Sequence, residues 1–105
     1  MRRLLLLAVL ACAGMLDGAA EAQDVAAGEE IYQGVCRNCH GPTAKGMASY
    51  PRLAGQSAAY LSSRLETYRA GETVSYNSAL MIPHARELSD ADIDDVVAYI
   101  TTTFE

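Results

Sequence analysis

The chain has 105 residues, with 8 lysines and arginines against 13 aspartates and glutamates, a formal net charge of −5 and no tryptophan. This length permits one small domain, and an acidic chain without clustered basic residues is not expected to bind nucleic acid. The apolar run at residues 4–15 is shorter than the roughly 20 residues that span a bilayer, so we expect no transmembrane helix in the mature protein.

The N-terminus has the order of a secretory signal peptide. A positive start is followed by an apolar stretch that ends at Leu16 and by a small-residue cleavage site, Ala20-Glu21-Ala22. We therefore predict a cleaved signal peptide at residues 1–22, a mature domain at residues 23–105 and a periplasmic location. A lipid anchor on Cys12 is the less favoured alternative.

The apolar periodicity of residues 23–105 is helical and shows no repeat, which predicts one all-α domain. The first helix is predicted from about Asp24, its N-cap, to about Arg37, with an apolar stripe of Val25, Gly28, Tyr32 and Val35. Glycine within a helix costs about 0.5–1 kcal/mol relative to alanine. Its presence at position 28 therefore predicts the close approach of another backbone.

Two further helices are predicted. One runs from about Ser57 to Ala70, and the last begins at a capping box of Ser89 and Asp92. The stripe of the last helix is Ile93, Val96, Val97 and Ile100. The segments between the helices, residues 40–56 and 72–87, are rich in glycine, proline and serine and are expected to be irregular. A domain with so few helices usually needs a disulfide, a metal or a cofactor for stability.

Charge is unevenly distributed along the mature chain. Residues 31–71 carry a net charge of +4, whereas residues 72–105 carry −6. The basic middle segment could therefore steer the protein toward an acidic partner despite the negative total.

The sequence Cys36-Arg37-Asn38-Cys39-His40 is the attachment signature of c-type haem. Two cysteines three positions apart on the last turn of a helix project to the same side, where each thiol can form a thioether to one porphyrin vinyl group. His40 then follows as an axial ligand, with its other ring nitrogen donating to a carbonyl.

Other chemistries use similar residues. A structural zinc site would need Cys36, Cys39, His40 and His84, but adjacent Cys39 and His40 are poorly placed around one tetrahedral ion. Thioredoxin-like chemistry would require a βαβ context that is not visible here. A plain disulfide is compatible with export.

The candidates for the second axial ligand are Met47, Met81 and His84. Met47 lies only seven residues after His40 and would have to wrap round the porphyrin edge. Met81 follows an intervening helix that is long enough to carry the chain across the haem, so it is the favoured ligand. His84 would instead give a site with two histidines.

The sequence resembles the class I c-type cytochromes, in particular a small bacterial group that occurs both as single domains and as halves of dihaem proteins. The residues that carry this resemblance are Gly28-x-x-x-Tyr32-x-x-x-Cys36, Pro51-Arg52-Leu53-Ala54-Gly55-Gln56, Tyr68-Arg69-Ala70-Gly71 and Tyr99. The resemblance implies a small cytochrome c fold, with three or more helices around one covalently bound haem. It also implies that the Pro51 carbonyl accepts a hydrogen bond from the axial histidine and that Met81 binds iron.

These features predict an exported single-electron carrier that shuttles electrons between redox protein partners and is not an enzyme. With His40 and Met81 both bound, no coordination position is open for oxygen or peroxide. Leu53, Leu61, Leu65 and Ile82 are candidates for the apolar wall of the haem pocket. The alternative function is that of the haem c electron-transfer subunit of a periplasmic dehydrogenase complex.

Overall fold

The computed structural model describes residues 23–105. The predicted signal peptide, residues 1–22, and the alternative lipid-anchor position Cys12 lie outside the described residues. Within the described part of the chain, no helix has the length and apolar character needed to cross a membrane.

Helices account for most of residues 23–105, and no strand is formed among them. In chain order the elements are α1 (Val25–Ile31), a π-helical turn (Tyr32–Cys36), α2 (Arg37–His40), α3 (Ala58–Arg69), α4 (Ser78–Arg86) and α5 (Asp90–Thr103). The first three elements are continuous and form one long helical segment. The all-α prediction is confirmed.

The first helix begins where the sequence predicts and packs against the last helix. The Asp24 side chain accepts a hydrogen bond from the Ala27 amide at 3.0 Å, while the Asp24 amide donates to the Asp95 carboxylate at 2.8 Å. A Cβ atom at Gly28 would overlap the backbone carbonyl of Asp95 and would lie 2.9 Å from the Cβ of Tyr99. The predicted close backbone approach at Gly28 is therefore confirmed, with α5 as the neighbour.

The apolar stripe predicted for the first helix is wrong at its two ends. Gly28 and Tyr32 are buried, but Val25 and Val35 are 40% and 43% exposed. In a π-helical turn the hydrogen bonds join residues five positions apart, rather than four as in an α-helix. Because Val35 lies within this turn, the spacing of 3.6 residues that placed it on the stripe does not apply there.

An aromatic cluster joins the two ends of the domain. The ring of Tyr32 lies 5.6 Å from that of Tyr99 and 5.2 Å from that of Phe104, and the last two rings meet edge to face. Aromatic pairs in such geometries add about 0.5–1.5 kcal/mol each beyond the apolar area they bury. The predicted stripe of α5 is buried against this cluster, as the sequence indicates: Ile93, Val96, Val97 and Ile100.

The predicted ends of α3 and α5 are confirmed by their caps. The Ser57 hydroxyl accepts from the Tyr60 amide, and Ser89 and Asp92 form both hydrogen bonds of a capping box at 3.0 Å. The two helices are also tied to each other, because the Arg69 guanidinium pairs with Asp90 at 2.6 Å and donates to the Leu88 carbonyl.

The segment before the last helix differs from its prediction. Residues 72–87 were expected to be irregular, whereas residues 78–86 form α4, which packs against α3. Pro83 lies within this helix, and proline is normally taken to end a helix. The helix buries Ser78 and Ala85 and packs against α3, and these tertiary contacts are not visible in the local sequence.

Candidate functional site

A cavity of about 470 Å³ lies between the first helical segment, the loop after it and the last three helices. Its volume falls within the range of ordinary cofactor sites. Ten of the side chains that line it are aliphatic: Ile31, Val35, Leu53, Leu61, Leu65, Leu80, Ala85, Leu88, Val96 and Ile100. Three of the four predicted wall residues are therefore present, whereas Ile82 is not among the lining residues.

Both cysteines of the Cys-x-x-Cys-His sequence line this cavity. Cys36 ends the π-helical turn and Cys39 lies in α2, so the helical segment carries both thiols to the same side, as predicted. The two thiols are free and half-buried. Burial raises the pKa of Cys36 from its ordinary value of 9.0 to about 11. Burial therefore disfavours the thiolate of Cys36, which is the form that dithiol redox chemistry requires.

His40 is buried at the end of α2, and its orientation is set by one hydrogen bond. Its Nδ1 lies 2.8 Å from the carbonyl oxygen of Pro51. Because a carbonyl can only accept, Nδ1 must carry the proton, which leaves Nε2 as the unprotonated nitrogen that can bind a metal. The hydrogen bond expected between His40 and Pro51 is thus present in the structure.

The loop that carries Pro51 to His40 depends on one glycine. Gly46 has a φ of +80°, and its amide donates to the His40 carbonyl at 2.9 Å. A Cβ atom at this position would overlap the Tyr50 carbonyl and would lie 2.9 Å from the carbonyl carbon of Pro51. Only glycine lets the chain pass so close to itself while adopting a positive φ.

The three candidates for a second axial ligand are not equally placed. Met81 and His84 both lie on α4 and both line the cavity, with Met81 half-buried. Met47 is 47% exposed and is absent from the lining. The structure thus brings Cys36, Cys39, His40, Pro51 and Met81 to one cavity together with His84, and it leaves Met47 outside.

Two arginines in the lining were not assigned to this site from the sequence. Arg52 donates through Nε to the Ala54 carbonyl at 3.1 Å, and the Arg64 guanidinium lies 5.3 Å from the centre of the Tyr60 ring. Within residues 23–105 neither arginine forms an ion pair with a carboxylate. The positive segment charge was the only signal of these groups, because the sequence does not show which basic residues face inward.

The arrangement offers two thiols, an imidazole nitrogen and a thioether around an apolar space. Two guanidinium groups that form no ion pair within residues 23–105 lie at the same cavity. Imidazole and thioether are ligands of haem iron, and the guanidinium groups suit carboxylates. A tetrahedral metal site fits less well, because no group of three or more histidine, cysteine, aspartate or glutamate side chains in residues 23–105 is placed to hold a metal ion.

Comparison with known proteins identifies the family. The sequence profile of the Cytochrome c family matches residues 25–104, so this chain belongs to the cytochrome c family. It is 49% identical over 82 residues to cytochrome c-554(548) of Halomonas halodenitrificans, an alignment that covers 77% of this chain and 98% of that protein. It is also 43% identical over 65 residues to a thiosulfate dehydrogenase electron acceptor of Stutzerimonas stutzeri, covering 61% of this chain and 30% of that protein.

Comparison of the fold with solved structures identifies cytochromes as well. The crystal structure of reduced recombinant cytochrome c4 from Pseudomonas stutzeri matches with a TM-score of 0.70 and 30% sequence identity, covering 77% of this chain and 48% of that one. The chain thus spans about half the length of the cytochrome c4 structure that it resembles. The predicted resemblance to small class I cytochromes and to single domains of dihaem proteins is confirmed.

Family membership establishes the general activity. Cytochromes c carry covalently bound haem c and transfer electrons to and from redox partners, and the relatives of this chain are electron carriers rather than enzymes. This chain is therefore an electron-transfer protein of the c-type cytochrome class.

Proposed function

We propose that this chain is an exported single-electron carrier that holds one haem c through thioethers from Cys36 and Cys39 and through axial ligands from His40 and Met81. The observation that carries the proposal is the hydrogen bond between His40 and Pro51 at 2.8 Å, with both cysteines and Met81 lining the same cavity. When bound, the haem supplies the ferric/ferrous couple.

The two cysteines have a covalent role in this proposal. Cys36 and Cys39 would each hold the haem through one thioether bond to a vinyl group. Their positions on one helical segment, three residues apart, present both sulfurs to a single porphyrin.

The axial pair restricts the chemistry to electron transfer. Pro51 holds the His40 ring in the tautomer whose Nε2 is free to bind iron, and Met81 contributes a thioether from α4. Two protein ligands leave no open position for oxygen or peroxide. A histidine and methionine pair raises the reduction potential, and the apolar lining of the cavity acts in the same direction.

Arg52 and Arg64 are suited to the two haem propionates. They line the cavity, and within residues 23–105 they have no carboxylate partner of their own. Hydrogen bonds between guanidinium and carboxylate groups are among the strongest in proteins, since both partners are charged. These arginines would thus fix the orientation of the propionate side chains and offset their negative charge.

Export and a periplasmic location are part of the proposal. They rest on the signal-peptide order of residues 1–22, which leaves residues 23–105 as the mature domain. The start of α1 agrees with this boundary, because Asp24 caps the helix only two residues after the predicted cleavage site. Intact mass of the secreted protein measures the boundary, and a lipid on Cys12 would appear as a heavier species that partitions into detergent.

The test of haem attachment and ligation is spectroscopic. The purified protein should give a pyridine haemochrome with one haem per chain and should keep its colour in acidified acetone. The ferric protein should show the weak absorption band at the red end of the spectrum that accompanies methionine ligation. Met81→Ala should abolish this band and Met47→Ala should preserve it. A colourless protein, or a band that survives Met81→Ala, would contradict the proposal.

One relative favours a second, narrower role. The thiosulfate dehydrogenase electron acceptor of Stutzerimonas stutzeri matches 61% of this chain, which supports a dehydrogenase as the electron donor. In the alternative, the chain is the haem subunit of a periplasmic dehydrogenase complex. Gel filtration of a native extract separates the two, because a free carrier elutes near its own mass and a subunit elutes with a larger redox enzyme.

A further inference from the structure

His84 is a potential metal ligand that the proposed haem site does not use. It lies three residues after Met81 on α4, and both side chains line the same cavity. In an α-helix, residues three apart lie on the same face and are displaced by about 4.5 Å along the axis. A rotation of α4 by about 60° with a shift of about 4.5 Å along its axis would therefore bring the imidazole to the position of the thioether.

The local hydrogen bonding of α4 is less complete than that of α5, although Ser78 at its start is buried and accepts from the Val74 and Ser75 amides at 2.9 Å. The N-cap of α4, Asn77, makes no side-chain hydrogen bond to the helix, and Pro83 cannot donate the backbone hydrogen bond that its position would otherwise provide. The helix packs mainly against α3. By contrast, α5 has a complete capping box and is buried along most of its length.

We propose that His84 is a reserve axial ligand, a proposal that rests on the proposed haem site. When the Met81 sulfur is withdrawn, the imidazole of His84 takes its place. The full sequence contains two histidines, and His40 is already assigned to the other side of the iron. His84 is thus the one remaining imidazole in the chain. Met47 does not share this role, because it does not line the cavity, whereas His84 does although its side chain is exposed.

The two ligand pairs, His40 with Met81 and His40 with His84, would give the haem two different reduction potentials. Methionine ligation raises the potential of a c-type haem relative to ligation by two histidines. The exchange would therefore make the reduced protein a stronger electron donor. The helix α4 would carry both ligands, and its position would decide which of them binds the iron.

The test compares Met81→Ala with the double variant Met81→Ala/His84→Ala, both as haem proteins in a buffer that does not coordinate iron. We expect the single variant to be low-spin in the ferric state by absorption and electron paramagnetic resonance, with the signature of two imidazole ligands. The double variant should be high-spin. The single variant should also have the lower reduction potential relative to the unsubstituted protein, and its spectrum should not depend on protein concentration.

Several results would overturn the inference. A Met81→Ala spectrum identical to that of the double variant would mean that His84 does not reach the iron, while the proposed function would stand. A low-spin fraction that rises with concentration would come from His84 of a second molecule. Retention of the methionine band would identify Met47 as a ligand and would contradict both proposals. If Met81→Ala yields no haem protein, Met81→Leu keeps the volume of the side chain and permits the same comparison.

Discussion

Replacing Gly28 with alanine should destabilise the protein, although alanine is the better helix former. A Cβ atom at position 28 would overlap the Asp95 carbonyl, which belongs to the backbone of α5 and cannot move away as a flexible side chain could. Alanine gains about 0.5–1 kcal/mol of helix propensity, but inserting atoms into a well-packed contact costs about 1–3 kcal/mol. Because the two helices must separate, we expect a net loss of about 1–2 kcal/mol in the free energy of unfolding.

Gly34 provides the matched control. It lies in the same helical segment, is exposed, and has no atom within 4 Å of the position its Cβ would take. Gly34→Ala should therefore stabilise the protein by roughly 0.4–1 kcal/mol through the unfolded state. Urea unfolding followed by far-ultraviolet circular dichroism measures both variants. Equal stability of the two variants would refute the argument that close approach to α5, rather than chance, places glycine at position 28.

Three further predictions concern stability and partner encounter. Tyr32→Phe removes the hydroxyl that donates to the buried Gly41 carbonyl at 2.6 Å, so unfolding at neutral pH should become easier by about 1–3 kcal/mol. Burial raises the pKa of Tyr32 from 10.0 to about 12, so the unfolded state loses this proton at a lower pH than the folded state does. The free energy of unfolding should therefore fall as pH rises from 10 toward 12. Urea titration at each pH measures this decline, and Tyr32→Phe should remove the part that comes from Tyr32. Ser89→Ala should cost about 1 kcal/mol in the same assay by removing the cap of α5, and an unchanged midpoint would show that the capping box contributes nothing. Electron exchange with an acidic redox protein, measured by stopped flow, should slow as ionic strength rises, whereas rates insensitive to salt would exclude steering by the basic segment.

The chemistry-bearing residues could be predicted because their spacing is a covalent requirement. The Cys-x-x-Cys-His sequence specifies its own geometry on a helix, and the helix ends at Asp24, Ser57 and Ser89 follow from local capping chemistry. These features involve residues only a few positions apart. Gly28 is the exception, because glycine is needed there by the close approach of α5, which is distant in the sequence. A glycine within a helix is nevertheless a local signal that another backbone passes close by.

The features that the sequence did not reveal depend on contacts between distant segments. The helix α4 contains Pro83 and lacks a side-chain cap, so local signals predict a loop, and its packing against α3 decides otherwise. The π-helical turn moved Val35 off the predicted stripe without any sequence signal of its own. The inward placement of Arg52 and Arg64 likewise depends on how the loop and α3 pack around the cavity.

The contact between the first and last helices also constrains when the domain can be completed. The hydrogen bond from the Asp24 amide to Asp95 joins residues 71 positions apart, and closing a loop of that length costs about 4 kcal/mol of chain entropy. If the chain is exported as proposed and emerges N-terminus first, this pair cannot form until nearly all of the chain has emerged. Under that proposal, Cys36 and Cys39 would lie on an incompletely folded segment during that interval, where their thiols are accessible for haem attachment.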